Sequence, residues 1–266
     1  MLKDITLGQY FPGKSLIHRL DPRTKLIVLV VYIVALFMAS GWLSYGLMML
    51  FLVSAIAVSK IPPKSFISGM KPLIFILVFT AVLNIFFTGG ETVLIPGTSI
   101  TLEGVIRAGF MLLRILMLIV CTFLLTYTTS PIALTDGLES LMSPLKKIKV
   151  PVHEFAMMMC IALRFIPTLI EETDKIMSAQ KARGADFETG KLMDRVKALI
   201  PILVPLFISA FRRADELATA MECRCYHGGD GRTKMKLLRY KRDDYWIFLL
   251  GATVIGVVIL LRSSGL

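Results

Sequence analysis

The sequence predicts an all-α fold: a polytopic helical membrane protein with about five transmembrane helices and long cytoplasmic or interfacial helices. Three observations support this prediction. The chain of 266 residues is 55% hydrophobic, and its mean hydropathy of +0.72 is too high for an ordinary globular domain. Several long runs carry no charge, and charged residues are concentrated in one central stretch.

The uncharged runs give the predicted spans. Residues 26–59 contain 34 consecutive uncharged residues. One straight helix of that length would measure roughly 50 Å, whereas the core of a bilayer is about 30 Å thick. We therefore expect Ser40-Gly41 and Gly46 to break the run into a hairpin of two short spans. Three further spans are predicted. The third is residues 72–90, the fourth consists mostly of residues 115–135 and also contains Arg107 and Arg114, and the fifth is residues 245–261.

Charge divides the chain into three predicted regions and orients them. Residues 1–127 form an N-terminal transmembrane region of four spans, 128–244 a cytoplasmic region of long helices, and 245–266 a C-terminal transmembrane helix. Residues 128–244 hold 19 Lys and Arg against 15 Asp and Glu. Outside them, basic and non-basic loops alternate, which places the N-terminus of this multi-pass protein in the cytoplasm. Nucleic acid is not an expected partner, because no basic stripe with interleaved aromatic residues is present.

The central region is expected to contain two long helices. A short helix from about Pro131 to Met142 and a basic turn at residues 144–151 precede them. The long helices are predicted over residues 152–182 and 192–223, with Pro167 kinking the first and two prolines near the middle of the second. Their early halves are apolar and interrupted by charge or proline, so we interpret them as helices lying at the membrane interface.

Each long helix ends in an arginine between two small residues, Ala182-Arg183-Gly184 and Cys223-Arg224-Cys225. One such arginine could simply complement the dipole of its helix. Two copies on paired helices favour a docking role, since an arginine with small flanks can enter a groove and contact a carboxylate in bidentate fashion. Aspartates nine residues before and alanines four residues before the arginines also match, which supports an internal repeat.

Two other arginines raise the question of a buried polar site. Arg114 is predicted inside a span, where it either faces a protein partner or wet cavity or reaches the outer surface. Arg164 precedes Pro167 in the first long helix and poses the same question. An intramembrane enzyme would require Arg114, Arg164 and His153 to converge with a nucleophile or metal, and the chain offers no convincing pair. We expect no catalytic, metal or cofactor site; an autonomous permease is the second alternative.

The chain resembles the transmembrane T component of energy-coupling factor (ECF) transporters. The resemblance covers almost the whole sequence. The segments that carry it are His18-Arg-Leu-Asp-Pro-Arg-Thr-Lys25, Thr129-Ser-Pro131, Pro144-Leu-Lys, Leu163-Arg-Phe-Ile-Pro167, Gln180-Lys-Ala-Arg-Gly-Ala-Asp186 and Gly228-Gly-Asp-Gly-Arg-Thr233. The glycine-rich last segment is closer to the shared type, which serves several substrates, than to the dedicated cobalt or nickel type.

The resemblance implies a function and a set of partners. A T component is a non-catalytic scaffold in the cell membrane of a prokaryote. It joins two cytoplasmic ABC-type ATPase subunits, which bind ATP and Mg, to one membrane-embedded S component that captures a vitamin or similar micronutrient. The two long helices cross as an X, and their terminal arginines, here Arg183 and Arg224, dock into the ATPases. Cys223 and Cys225 replace the usual Ala and Gly, which questions the geometry of the second helix end.

Overall fold

The structure is a computed structural model that describes residues 10–87, 101–185, 187, 192–229 and 237–263. All regular secondary structure in these residues is helical, which confirms the predicted fold class. Most of the 89–104 loop and of the 228–233 segment lies outside the described residues. The chain forms two compact units: a long-helix unit within residues 138–237, and a bundle unit within residues 8–137 and 238–266. The three regions inferred from charge stay a prediction.

The helices follow one another through the two units. Their bounds are α1 Leu16–Arg19, α2 Pro22–Met38, α3 Trp42–Ser59, α4 Pro63–Met70, α5 Ile74–Phe87, α6 Leu102–Thr128, α7 Pro131–Met142, α8 Val152–Ala182, α9 Leu192–Glu222 and α10 Arg242–Ser263. Short 3-10 helices occupy Lys71–Leu73, which joins α4 to α5, and Ser143–Ile148, which takes up most of the predicted basic turn.

Five helical segments among the described residues are long and apolar enough to cross a membrane. They are Trp42–Ser59, Pro63–Phe87, Leu102–Thr128, Val152–Ala182 and Arg242–Ser263. The number equals the predicted one, but the set differs. The predicted span in α2 has 17 residues, at the lower limit for a transmembrane helix. By length and composition α8 also qualifies, so its position at the interface stays a prediction.

The bundle unit packs α2, α3 and α6 around one apolar core, to which α10 contributes Val258. Leu36, Met48 and Met117 are each fully buried there. The hydroxyl of Tyr32 donates to the carbonyl of Met48 at 3.2 Å, which gives this buried polar group a partner. By contrast, α5 packs on α6 but buries no residue, and its side is rich in exposed Phe, Ile and Val, as expected of a lipid-facing span.

One sequence-based boundary was wrong and another was incomplete. Helix α6 runs from Leu102 to Thr128, so the uncharged run that starts at residue 115 covers only its second half, and Arg107 and Arg114 both lie inside the helix. Thr101 caps this helix, its hydroxyl accepting the N–H of Gly104 at 3.2 Å. Gly46 lies inside α3 and does not break it. The turn before α3 instead uses Gly41, whose φ of +89° suits glycine.

A cluster of polar side chains lies where α2 begins and α6 ends, and we call it the helix-end cluster. Asp21 caps α2 by accepting the N–H of Arg23 at 3.0 Å, and its two carboxylate oxygens receive the Arg23 guanidinium in bidentate fashion. Burial alone would raise the pKa of Asp21, but the hydrogen bonds from Arg23 outweigh it and lower that pKa below its ordinary value. The carboxylate is therefore ionised at neutral pH.

Lys25 and Asp244 complete the helix-end cluster. The ammonium of Lys25 donates to the carbonyl of Thr128 at 2.8 Å and to the hydroxyl of Thr129 at 3.1 Å, so it satisfies the C-terminal end of α6. Asp244 is fully buried. Its carboxylate accepts the N–H of Lys241 at 2.7 Å and the N–H of Asp21 at 3.0 Å. One side chain thus caps α10 and ties it to the start of α2.

We expect Asp244→Ala to lower the free energy of unfolding by about 3 kcal/mol, because two backbone N–H groups lose their acceptor. Asp244→Asn, which keeps one acceptor oxygen, should cost roughly half as much. Thermal unfolding of the purified protein in detergent, followed by tryptophan fluorescence, measures both. The control is Asp243→Ala at the neighbouring exposed position, with a cost under about 1 kcal/mol. Equal losses at positions 243 and 244 would contradict the bridging role.

Candidate functional site

The first arginine signature forms a complete helix cap. Arg183 is the C-cap residue directly after α8, and Gly184 follows it with φ +87°. The N–H of Gly184 donates to the carbonyl of Lys181 at 3.0 Å, and the N–H of Ala185 donates to the carbonyl of Gln180 at 3.0 Å. These two bonds define a Schellman motif, in which a left-handed residue ends the helix.

The second signature repeats this geometry. Arg224 follows α9, and Cys225 adopts the left-handed conformation with φ +54°. The N–H of Cys225 donates to the carbonyl of Glu222 at 2.8 Å, and the N–H of Tyr226 donates to the carbonyl of Met221 at 3.1 Å. The second helix end, whose geometry the two cysteines called into question, therefore forms the same Schellman motif as the first. A cysteine in the left-handed conformation costs about 1–2 kcal/mol that glycine avoids.

Both signatures present their arginine to the exterior. All six residues are exposed: Ala182, Arg183 and Gly184 at the first end, and Cys223, Arg224 and Cys225 at the second. Within the part of the chain that the structure describes, neither arginine side chain forms a hydrogen bond or an ion pair. Each helix end therefore offers a free planar cation beside small side chains, with room for a carboxylate to approach.

The two long helices contact each other through a polar crossing. Glu172 of α8 accepts a hydrogen bond from the Arg213 guanidinium of α9 at 2.8 Å and another from the hydroxyl of Ser209. Further along, the Gln180 side-chain amide donates to the carbonyl of Pro201 at 3.4 Å. That carbonyl lacks its usual helical partner, since residue 205 is a proline and has no N–H.

These contacts fix how the helices run. Residues 172 and 180 of α8 meet residues 213 and 201 of α9, so the two helices are antiparallel where they touch. Glu172 lies 11 residues before Arg183, and Arg213 lies 11 residues before Arg224. Each terminal arginine is then about 16 Å along its helix from the crossing. The two arginine ends therefore lie on opposite sides of the crossing, at equal distances along the two helices.

The matched residues noted in the sequence take equivalent places. The hydroxyl of Ser178 donates to the carbonyl of Asp174 at 2.7 Å, and the hydroxyl of Thr219 donates to the carbonyl of Asp215 at 2.9 Å. Each hydroxyl lies five residues before its arginine and each aspartate nine. The repeat therefore extends to local hydrogen bonds on both helices.

The other predicted residues do not join this site. Arg114 donates to the hydroxyl of Tyr45 at 3.0 Å and to the carbonyl of Ala39 at 3.5 Å, so it faces protein rather than the outer surface. That carbonyl lies at the end of α2, which makes Arg114 a helix cap. Arg164 and Pro167 are exposed on α8, which continues through the proline.

His153 has its own neighbour, Glu139, with 3.1 Å between Nδ1 of the imidazole and the carboxylate. No group of three or more His, Cys, Asp or Glu side chains that could hold a metal occurs among the described residues. The structure thus gives Arg114 and His153 structural partners and leaves Arg164 at the surface.

Sequence reasoning missed the residues of the crossing. Glu172 and Arg213 appeared only as ordinary charges on helices. Their equal distance from the terminal arginines was an available signal, because equivalent positions of two repeats meet on a two-fold axis. The four-residue spacing of Pro201 and Pro205 was a second available signal. It leaves the carbonyl of Pro201 without the N–H that residue 205 would normally supply, so a side-chain donor such as Gln180 was to be expected there.

Fold and site together define a polytopic helical membrane protein whose two crossed helices end in exposed arginines. Residues 13–235 match the profile of the family described as CbiQ, cobalt transport protein. The chain is 54% identical to the energy-coupling factor transporter transmembrane protein EcfT of Ruminiclostridium cellulolyticum, over 96% of this chain and 95% of the relative. The protein of the same name from Clostridium kluyveri is 54% identical over 98% of each chain. The Bacillus subtilis protein is 47% identical over 99% of this chain and 100% of its own length.

The chain belongs to this family of transmembrane components of energy-coupling factor transporters. The resemblance inferred from the sequence segments is confirmed. So is the prediction that the chain is a transporter subunit and not an enzyme, because the family members are named as transmembrane proteins of a transporter.

Reversing the charges at the crossing tests the pairing of Glu172 with Arg213. Each single change, Glu172→Arg or Arg213→Glu, should lower the free energy of unfolding by about 1 kcal/mol, because like charges then meet in a half-buried position. Combining them should restore more than half of the summed loss, as a double-mutant cycle in thermal unfolding would measure. The exposed neighbours Glu171→Arg and Arg212→Glu are the control and should show additive effects.

Exchange of the residues that end the helices tests the shared cap. Gly184→Cys places a side chain at φ +87° and should cost about 1 kcal/mol. Cys225→Gly removes the corresponding strain and should stabilise by up to about 1 kcal/mol, less the greater chain entropy of glycine. Thermal unfolding checks both. Cys223→Ala, at a residue with ordinary helical backbone, should change little; an equal response at 223 and 225 would contradict the left-handed cap.

Proposed function

We propose that the two arginine ends of the crossed helices are the docking points for two cytoplasmic ATPase subunits, one arginine for each. The observation that supports this most directly is the repeated cap: two Schellman motifs of the same geometry, each presenting an exposed arginine. A helix C-terminus carries partial negative charge, which stabilises the positive charge of the arginine beside it. The exposed guanidinium can then pair with a carboxylate of the partner.

The approximate two-fold arrangement favours a partner that is itself two-fold. Arg183 and Arg224 lie at similar distances on opposite sides of the Glu172–Arg213 pair. Two equivalent pockets on a dimer of ATPases can each receive one arginine, whereas a single asymmetric partner has no use for a duplicated contact. On this proposal ATP and Mg are bound by the partners, and this chain binds no cofactor of its own.

An apolar stripe on α9 is the proposed contact for a membrane-embedded S component. It consists of exposed residues spaced three and four apart, a spacing that places them on one face of a helix: Ile200, Leu203, Val204, Phe207 and Phe211. The opposite side of α9 carries Ser209 and Arg213 toward α8. Motion imposed at the arginine ends would then pass through the crossing to this stripe.

The proposed orientation places the N-terminus and the ends of α8 and α9 in the cytoplasm, where the ATPases are. The basic segment at residues 60–71, which includes α4, supports this orientation because positive charge is enriched on the cytoplasmic side. The transported compound is a vitamin or similar micronutrient recognised by the S component. An autonomous permease would carry out transport without such partners.

Charge reversal of both arginine ends tests docking. In the Arg183→Glu, Arg224→Glu double variant we expect ATPase co-purification to fall at least 100-fold, since each charge-assisted bidentate contact contributes about 1.5–3 kcal/mol. Each single variant should retain one ATPase of the two, as measured by the mass of the intact complex. The variants should remain inserted in the membrane.

The matched control is Arg212→Glu, an equal charge reversal at an exposed position of α9 away from its end. It should retain both ATPases. If the double variant keeps both subunits in full amount, the arginines do not dock them. Purification of the wild-type chain without ATPases, with transport intact, would favour the autonomous permease.

A further inference from the structure

The bundle unit contains a cavity of about 360 Å³ between α1, α2, α3, α6 and α10. Its volume falls in the range of ligand-binding pockets. Most of its wall is aliphatic or aromatic, as with Leu29, Tyr32, Leu52 and Leu124. The cavity reaches the surface, since Val58 and Leu250 line it and are each more than 40% exposed. Both belong to helices that are long and apolar enough to cross a membrane, so we expect the opening to face lipid.

The polar groups of the cavity are gathered at one end. Thr24 and Lys25 belong to the first turn of α2, Thr128 is the last residue of α6, and Asp243 lies in the first turn of α10. One to two turns further along α2 the wall becomes apolar. The cavity is therefore amphipathic along the helix axes, with its polar end at the boundary of the uncharged run that begins at residue 26.

Two hydrogen-bond donors at this polar end are incompletely used. The hydroxyl of Thr24 is fully buried and has no hydrogen-bond partner among the described residues. The ammonium of Lys25 has three N–H donors, of which two reach Thr128 and Thr129. A buried hydroxyl without a partner is uncommon, because it loses its bond to water and gains nothing in return. An acceptor oxygen from a bound molecule would complete both groups.

We propose that the cavity holds one acyl chain of a membrane glycerolipid, with the ester carbonyl of that chain accepting hydrogen bonds from Thr24 and Lys25. The apolar wall matches the chain, and the polar end lies at the depth where ester groups occur. A neutral acceptor suits the local charge better than an anion, since the three carboxylates of Asp21, Asp243 and Asp244 already outnumber the two cations Lys25 and Arg23. The indole of Trp246 also lines the opening and is 69% exposed, as expected of an interfacial anchor.

Photolabelling of the full chain in vesicles tests the proposal. The vesicles consist of phosphatidylcholine with a small share of phosphatidylcholine that carries a diazirine midway along one acyl chain. After irradiation, mass spectrometry should locate the label on residues of the cavity wall such as Leu29, Leu52 or Leu124. Ala55→Phe fills the cavity and should reduce this labelling at least fivefold. Val53→Phe, on the same helix but outside the wall, should leave it unchanged.

The hydrogen bond is tested separately from the volume. Thr24→Val removes the hydroxyl and keeps the shape, so labelling by the ester lipid should fall about threefold. An ether-linked analogue, which lacks the carbonyl, should label the wild-type chain equally weakly and be insensitive to Thr24→Val. Thr122→Val is the control, since the Thr122 hydroxyl donates to its own helix outside the cavity. Label confined to other surfaces, no effect of Ala55→Phe, or equal labelling by ester and ether lipids would overturn the proposal.

Discussion

The ends of helices impose the constraint on which this structure depends. A helix leaves four carbonyls and four N–H groups without internal partners, and a membrane offers no water to satisfy them. Here side chains from distant parts of the sequence supply the missing partners. Lys25 donates to a carbonyl at the end of α6, and Arg114 donates to a carbonyl at the end of α2. Asp244 accepts one N–H at the start of α10 and the N–H of Asp21 at the start of α2. The same contacts that complete these helices also join them, so secondary and tertiary structure are stabilised by one set of hydrogen bonds.

The arginine ends obey the same constraint in a different way. Their carbonyls are satisfied within the chain, by the left-handed residue of each Schellman motif. Because no side chain is needed for capping, both guanidinium groups stay available to a partner. At Cys225 the chain retains this geometry in spite of its steric cost. Because the same cap forms with cysteine in place of glycine, the position of the arginine is set by the backbone hydrogen bonds of the cap. The residue beside the arginine need only be small.

Local patterns predicted much of this fold, whereas pairings between distant residues could not be predicted from them. The bounds of α7 and α8 follow from proline at one end and from small residues or glycine at the other. The uncharged run did not give the start of α6, because the helix continues past Arg114 and Arg107 to Leu102. A charge inside a span is acceptable when a partner such as Tyr45 exists, and that partner could not be predicted from the local pattern. Which carboxylate meets Arg213, or which helix end receives Lys25, depends on the three-dimensional arrangement.

The prolines of the long helices indicate how such a pair can move yet stay together. Pro201 and Pro205 each remove one backbone hydrogen bond from α9, which weakens its resistance to bending in that segment. The Gln180 amide bonds to one of the carbonyls released, so the weakest part of α9 is held by the end of α8 that carries Arg183. A displacement of that end therefore acts on the bendable segment of the other helix, and the ion pair at the crossing provides a fixed point for both. We expect two helices linked in this manner to move in a coordinated way, which agrees with the proposed role of passing motion from the ATPases to the S component.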